Sequence, residues 1–257
     1  MKKLHALIKY VQHQILAKSP ASIQNPSVKE AIANILKDDH RFYMFSVIES
    51  LRAQMLLSSD KIHVDDYGTG VSGQRKIRNI ASSALKSATQ AQLLFRLVNH
   101  LQPTTILEMG TSLGITTLYL SKVNENCRLI TLEGSSEIAE TAKANFNKLK
   151  ASNIELMKGD FDNTLPEALA NLNPLEFCFI DGNHREKPTL KYFNLVVEQC
   201  SEAAVIVLDD IHWSAEMSHA WQRVKEHPKV WVSVDLYHLG VVFLKATGTR
   251  GHYRIRV

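Results

Sequence analysis

Between Thr105 and Leu120 the chain reads TILEMGTSLGITTLYL, a short apolar strand that breaks into a glycine-spaced turn and opens an amphipathic helix. A strand feeding a helix through a tight corner is the unit from which parallel, helix-covered sheets are built, so this run restricts the fold more than any other. Gly110 lets the chain turn, and Gly114 lets a ligand or the strand approach the first helical turn. The unpaired amides that open the helix face whatever binds there. The spacing is E-x-G-x-x-x-G from Glu108 through Gly110 to Gly114. A pyrophosphate-binding corner would place a glycine where this chain has Ser112, so adenosine without a pyrophosphate fits better.

Apolar strands and helical patterns alternate from there on. Strands are expected at 105–108, 128–133, 154–158, 177–181 and 204–209, with helices near 115–123, 136–149, 187–199 and 214–226. The unbroken apolar runs that begin at Phe177 and Val205 suit strands buried on both faces. Val230–Leu236 and Gly240–Lys245 are joined by a loop too short for a helical crossover, so they pair antiparallel. The expected fold is α/β: a Rossmann-like doubly wound sheet, mostly parallel, of seven strands with a terminal antiparallel hairpin and an N-terminal helical cap.

That cap shows helical periodicity without strand signals to about residue 60. Leu4, Leu7, Ile8, Val11 and Ile15 make one apolar face, and Val28, Ile32, Ile35 and Leu36 make another. Pro20 and Pro26 separate the first two helices, 65–70 is a turn-rich break, and a further helical stretch runs from Ile80 to Leu101 before Pro103. The expected division is a capping or pairing region over 1–75, through which two copies form a homodimer, and an α/β domain over 76–257.

Composition excludes some classes. With 257 residues, 45% of them hydrophobic, the chain can bury a full core. A formal charge of +4, from 30 basic and 26 acidic residues, is too mild to argue for nucleic acid. Cys127, Cys178 and Cys200 stand singly, without metal or redox spacing, and read as reduced structural thiols. Lys9, Gln12 and His13 break up the first apolar stretch, and no run approaches the ~20 residues that span a bilayer. A cytoplasmic protein without membrane partners is expected. The tail carries Arg250, Arg254 and Arg256 and reads as a solvated end or as a contact for an acidic partner.

The motif from Glu108 to Gly114, together with the segments in register behind it, resembles the first motif of the class I S-adenosylmethionine (SAM) dependent methyltransferases. The resemblance covers about residues 80–245, and the terminal hairpin agrees with it. Glu133 ends the second strand 23 positions beyond Gly110, where an acid can accept both ribose hydroxyls. The resemblance gives the same assignment; the alternative is an ordinary surface glutamate. Asp160 and Phe161 match the family's acid and neighbour that flank adenine, though both equally suit a turn or helix cap. The methionine end of SAM needs an acid and a donor, roles that fit Glu108, directly or by ordering the loop amides, and Thr116. The cofactor set is then Glu108, Gly110, Ser112, Gly114, Thr116, Glu133, Asp160 and Phe161, with Asp181 from the fourth strand.

Methyl transfer is an in-line displacement that requires alignment of the acceptor and removal of its proton. The acceptor side belongs at the carboxyl ends of strands four and five. There Asp181, Asp209 and Asp210 resemble the metal triad of catechol-type and sugar O-methyltransferases, and three hard oxygens suit Mg2+. The same aspartates could instead cap helices or brace loops. His184 falls three residues after Asp181, where catechol-type enzymes carry a lysine base, and is the expected general base, with Asp181 beside it in the catalytic set. His212 and Trp213 are placed in the acceptor pocket, and Tyr67 with its glycines forms a lid or a plain linker.

The expected function is O-methylation of a hydroxyl on a small metabolite, with SAM as cofactor and Mg2+ as an optional aid. A dinucleotide-dependent oxidoreductase is opposed by Ser112 and the terminal hairpin. A non-catalytic SAM-binding module is opposed by His184 and the three aspartates. A nucleic-acid methyltransferase is opposed by Asp181-Gly-Asn-His184, which stands where an Asn-Pro-Pro-aromatic base pocket would.

Overall fold

The computed structural model describes residues 2–65, 72–245 and 248–257, so Tyr67, Gly68 and Gly70, the suggested lid, lie outside the described residues. In chain order the helices are α1 (Lys2–Leu16), α2 (Pro26–Lys37), α3 (Tyr43–Leu57), α4 (Ile77–Ala84), α5 (Ala88–Leu101), α6 (Ile115–Ser121), α7 (Ser136–Lys148), α8 (Phe161–Asn171), α9 (Glu186–Gln199) and α10 (Ala215–Lys225). The strands are β1 (Lys61–Val64), β2 (Gly73–Lys76), β3 (Thr105–Met109), β4 (Arg128–Glu133), β5 (Ile154–Lys158), β6 (Leu175–Ile180), β7 (Cys200–Asp209), β8 (Val232–Asp235), β9 (Leu239–Phe243) and β10 (Gly251–Arg254). Eight of them form one mostly parallel sheet flanked by helices, a Rossmann-like fold. By contacts the chain divides into two compact units, Asp38–Leu172 and Met1–Lys37 with Asn173–Val257.

In the unit Asp38–Leu172, β3, β4 and β5 pair in parallel, with Glu108 beside Thr131 and Glu133 beside Lys158. Phe45, Ile48, Phe95, Leu118 and Tyr119 belong to its buried apolar cluster. The stretch expected as one helix from Ile80 is two. Ser87 breaks it and caps α5 in a reciprocal capping box with Gln90, a Ser-x-x-Gln signature visible in the sequence. Helix α8, absent from the sequence reading, starts at the Asp160 cap and runs through Pro166, forgoing the bond a proline cannot donate. A small antiparallel hairpin, β1 with β2, stands where only a turn was expected.

In the other unit the strand order is β10-β8-β9-β7-β6, with β9 antiparallel to both β7 and β8 as the short loop required. Gly240 of β9 lies under Trp221 of α10, where an added Cβ would fall 2.6 Å from the indole ring. The sheet has an eighth strand that the sequence reading did not include. The tail is not a solvated end: β10 pairs in parallel with β8, Ile255 is fully buried, and Arg250 donates to the carbonyls of Val230, His227 and Pro228. Tyr253 and Ile255 alternate with Arg254 and Arg256, a strand-like period of two. On α2 the expected face is buried through Val28, Ile32 and Ile35, whereas on α1 Leu4, Leu7, Ile8, Val11 and Ile15 are all exposed. Among the described residues no helix is long and apolar enough to cross a membrane.

Candidate functional site

The glycine corner belongs to the unit Asp38–Leu172. After β3 the chain turns at Gly110 (φ 101°), passes Ser112 (φ 49°) and enters α6 through Gly114 (φ 82°). The amides of Gly110 and Thr111 both donate to the Leu132 carbonyl, and Asn145 donates to that of Leu113, so the loop is fastened to β4 and α7. At Gly114 an added Cβ would lie 2.5 Å from Phe146 Cε1 and 3.3 Å from the Ala142 Cβ. The close approach this glycine permits is therefore that of α7, not only of a ligand. Gly114→Ala combines the left-handed backbone with overpacking and is expected to destabilise the fold by about 2–4 kcal/mol, read by denaturant unfolding.

Glu108 is wholly buried beneath this loop. Its Oε2 accepts from the Thr117 hydroxyl and, at 2.7 Å, from the Thr131 hydroxyl, while Thr111 and Thr131 lie 2.6 Å apart. Thr117 and Thr131 were not singled out from the sequence. Thr131 interrupts an apolar strand in register with Glu108, which is the signal that could have found it. Burial pushes the Glu108 carboxyl up to about 7; the two hydroxyl donors oppose the rise and the Glu133 charge adds to it. Thr116, the expected donor, is buried in the first turn of α6. Glu108 Oε1 and Ser112 Oγ are buried and have no partner among the described residues. A ligand bearing a cationic, hydrogen-bonding head would satisfy both, so the corner fits SAM.

Glu133 ends β4, half-buried, and each of its oxygens holds a backbone amide: Ser112 N at 2.8 Å and Ser135 N at 2.9 Å. It is not an ordinary surface glutamate but a clasp between the glycine loop and the start of α7. A carboxylate oxygen accepts more than one hydrogen bond, which leaves capacity for ribose hydroxyls. Burial raises its carboxyl, against the hydrogen bonds from Ser135, Ser112 and Gly134. Asp160 is the N-cap of α8, accepting from the Asp162 amide at 2.7 Å, and half-buried Phe161 is the first residue of that helix. Both readings offered for Asp160 remain compatible, since the cap uses Oδ1.

The acceptor-side residues lie in the other unit. Asp181 follows β6, Asp209 ends β7 and is buried, and His184 is half-buried with Nε2 3.6 Å from Asp181 Oδ1. One ligating atom from each of Asp181, His184 and Asp209 lies within 4.8 Å of the others. Asp210 is outside this group: its backbone is left-handed (φ 51°), and its charge acts on Tyr237, whose hydroxyl is raised first by burial and then by Asp210. His212, expected in the acceptor pocket, instead bonds Asp235 Oδ2 at 2.9 Å and stacks on Tyr237. Trp213 is exposed. The sequence reading missed the buried cluster around Asp235. His13, His212 and the Tyr237 amide converge on this residue, and Arg254 stands 3.5 Å away.

Comparison with known proteins finds similarity over the middle of the chain. Residues 107–211, from β3 to just past β7, match a family model described as a methyltransferase domain. The matched stretch includes Glu108, the two loop glycines, Glu133, Asp181, His184 and Asp209. A catechol O-methyltransferase of Mycobacterium tuberculosis is 29% identical over 127 residues, 49% of this chain and 56% of that protein. A catechol O-methyltransferase of Niastella koreensis is 28% identical over 128 residues, 49% and 57% respectively. The chain thus spans little more than half the length of these curated relatives. The solved structure of an O-methyltransferase from Bacillus cereus, in complex with SAH, superposes with a TM-score of 0.58 at 18% identity, covering 83% of this chain and 96% of that one. That likeness concerns the fold alone.

Proposed function

We propose that this chain is a SAM-dependent O-methyltransferase acting on a hydroxyl of a small molecule. The observation that carries this reading is the pair of unpartnered buried oxygens, Glu108 Oε1 and Ser112 Oγ, in a glycine corner clasped by Glu133. Glu108 supplies negative charge for the cationic end of the cofactor, the loop amides supply donors, and Glu133 accepts from the ribose. When bound, SAM supplies a methyl group activated by its sulfonium. The matched relatives named as catechol O-methyltransferases support an oxygen nucleophile.

On the acceptor side, Asp181, His184 and Asp209 offer two carboxylates and an imidazole to take the hydroxyl's proton. The observed grouping is Asp181, His184 and Asp209, and Asp210, the third residue of the Mg2+ triad implied by the resemblance, is not in it. No step is therefore assigned to Mg2+. Radiolabelled SAM offered with a panel of catechols, other phenols and sugar hydroxyls tests the reading. Label in an O-methyl product is expected for at least one class. SAM binding without transfer to any hydroxyl, or transfer only to nitrogen or carbon, would contradict it.

A further inference from the structure

We propose that α1 and the basic residues beside it form a docking surface for an anionic lipid bilayer, with α1 lying in the plane of the headgroups. A bilayer here takes the place of the second copy expected from the sequence, and it reverses the expectation of a chain without membrane partners. Neither SAM nor an acceptor is involved.

Helix α1 is fastened to its unit by its polar side. Buried His13 bonds the Asp235 carbonyl at 3.2 Å, His5 Nε2 lies 3.0 Å from Ser218 Oγ, and the Tyr237 hydroxyl donates to the Ala6 carbonyl at 2.7 Å. At 3.6 residues per turn, Leu4, Leu7, Ile8, Val11 and Ile15 fall on one arc of about 100°, roughly opposite Ala6 and His13. A helix packed for burial turns such an arc inward, yet these five side chains are 48–73% exposed. Together they present on the order of 500 Å2, a size at which an apolar patch marks an interaction site.

Charge decides what covers it. Residues 1–29 carry Lys2, Lys3, Lys9, Lys18 and Lys29 without an acid, and 248–257 carry Arg250, Arg254 and Arg256 without an acid. The two stretches meet: Lys18 pairs with Ile255, and Arg256 donates to the carbonyls of Gln14 and Ala17 at the end of α1. These are eight of the 30 basic residues and none of the 26 acidic ones, so the rest of the chain, 22 basic against 26 acidic, is net negative. Beside the helix, burial and then the charges of Arg254 and Lys9 lower the Lys225 ammonium, with the acids Asp235 and Glu226 acting the other way. Two copies of α1 face to face would bring together two helices that carry lysines and no acid to pair with them. An anionic leaflet supplies both the opposite charge and an apolar boundary for the arc. Lys9, on the far side of the helix, is separated from that arc by no more than the helix diameter of ~10–12 Å, close to one Debye length. At 15 residues α1 is too short to span the ~30 Å hydrocarbon core, which leaves it in the interface.

The purified full-length chain is mixed, without SAM or acceptor, with vesicles of phosphatidylcholine alone and of phosphatidylcholine with about 40% phosphatidylserine, and binding is read by co-sedimentation. Expected are at least about tenfold stronger binding to the anionic vesicles and a loss of at least about tenfold when salt is raised from about 50 to about 500 mM. Ile8→Asp with Val11→Asp is expected to weaken binding at least about tenfold, and Leu7→Gln with Ile15→Gln, which adds no charge, severalfold. Lys9→Gln with Lys18→Gln is expected to reduce the preference for phosphatidylserine. Leu57→Asp, at an exposed apolar residue of α3, leaves binding unchanged. Circular dichroism and the melting temperature of each variant guard against misfolding. No binding to anionic vesicles, equal binding to both compositions, or binding indifferent to the α1 substitutions would overturn the proposal. A dimer in sedimentation that Ile8→Asp with Val11→Asp dissolves, with no vesicle binding, would overturn it in favour of a second copy on this face.

Discussion

Replacing Glu108 by glutamine is expected to weaken SAM binding about 100-fold or more and to abolish its dependence on pH. The buried carboxyl titrates near 7 instead of at its ordinary value of 4.5, mainly because burial penalises its charge. A raised value means that the folded state holds the proton over that interval: the stabilisation is fully present below pH 4.5 and is lost as pH rises through about 7. The whole span amounts to on the order of 3 kcal/mol. Folding stability of the wild type relative to Glu108→Gln therefore declines by roughly that amount between pH 4.5 and 8, as read from urea unfolding at each pH. A cationic ligand binds the ionised form, so wild-type affinity for SAM rises about tenfold from pH 6 to pH 8 with uptake of the ligand coupled to release of a proton. The glutamine variant shows neither trend. An affinity in Glu108→Gln equal to wild type at pH 8 would remove the carboxylate from the cofactor site.

Asp235→Ala is expected to cost about 3–5 kcal/mol, the loss typical when one partner of a buried ion-pair cluster is removed, and to lower Tm by roughly 10 °C. Burial by itself would push this carboxyl up. The hydrogen bonds from His13 and His212, the charge on His212 and the Tyr237 amide instead hold it well below the carboxylate range. A depressed value contributes stability above the ordinary 3.8 that is lost as pH falls below it, so the cluster sharpens acid unfolding. The same residues fasten the ends of this unit. His13 and, through the Tyr237 hydroxyl, the Ala6 carbonyl belong to α1, and Arg254 belongs to β10. Removal of Asp235 thus frees α1, and limited proteolysis is expected to cut the variant first within residues 2–25. A melting temperature within 2–3 °C of wild type, about 1 kcal/mol, would show the cluster to be dispensable.

The legible parts of this molecule were those encoded by neighbours in sequence. The corner from Glu108 to Gly114 is set by seven consecutive residues, and β4, β5 and the terminal hairpin fall where apolar periodicity put them. The reason for Gly114 was only half visible, because Phe146 reaches it from another helix. The aspartates at the end of β7 show the limit of motif reading: Asp209 and Asp210 are equivalent as letters, yet only Asp209 groups with Asp181 and His184, while the charge of Asp210 acts on Tyr237. His212 carried the same ambiguity, resolved by a carboxylate 23 residues away. Strand β10 escaped notice because its four residues, Gly-His-Tyr-Arg, hold a single large apolar side chain, too little to show an alternation. The exposed face of α1 shows the converse, a helical period that is real without being buried.

The central claim is that the glycine corner binds SAM. Calorimetric titration of the purified chain with SAM and with SAH at pH 8 measures it directly. The account predicts one site per chain with a dissociation constant on the order of 1–100 μM, weakened by an order of magnitude or more in Glu108→Gln. Absence of heat and of any thermal stabilisation by either compound at millimolar concentration would contradict it.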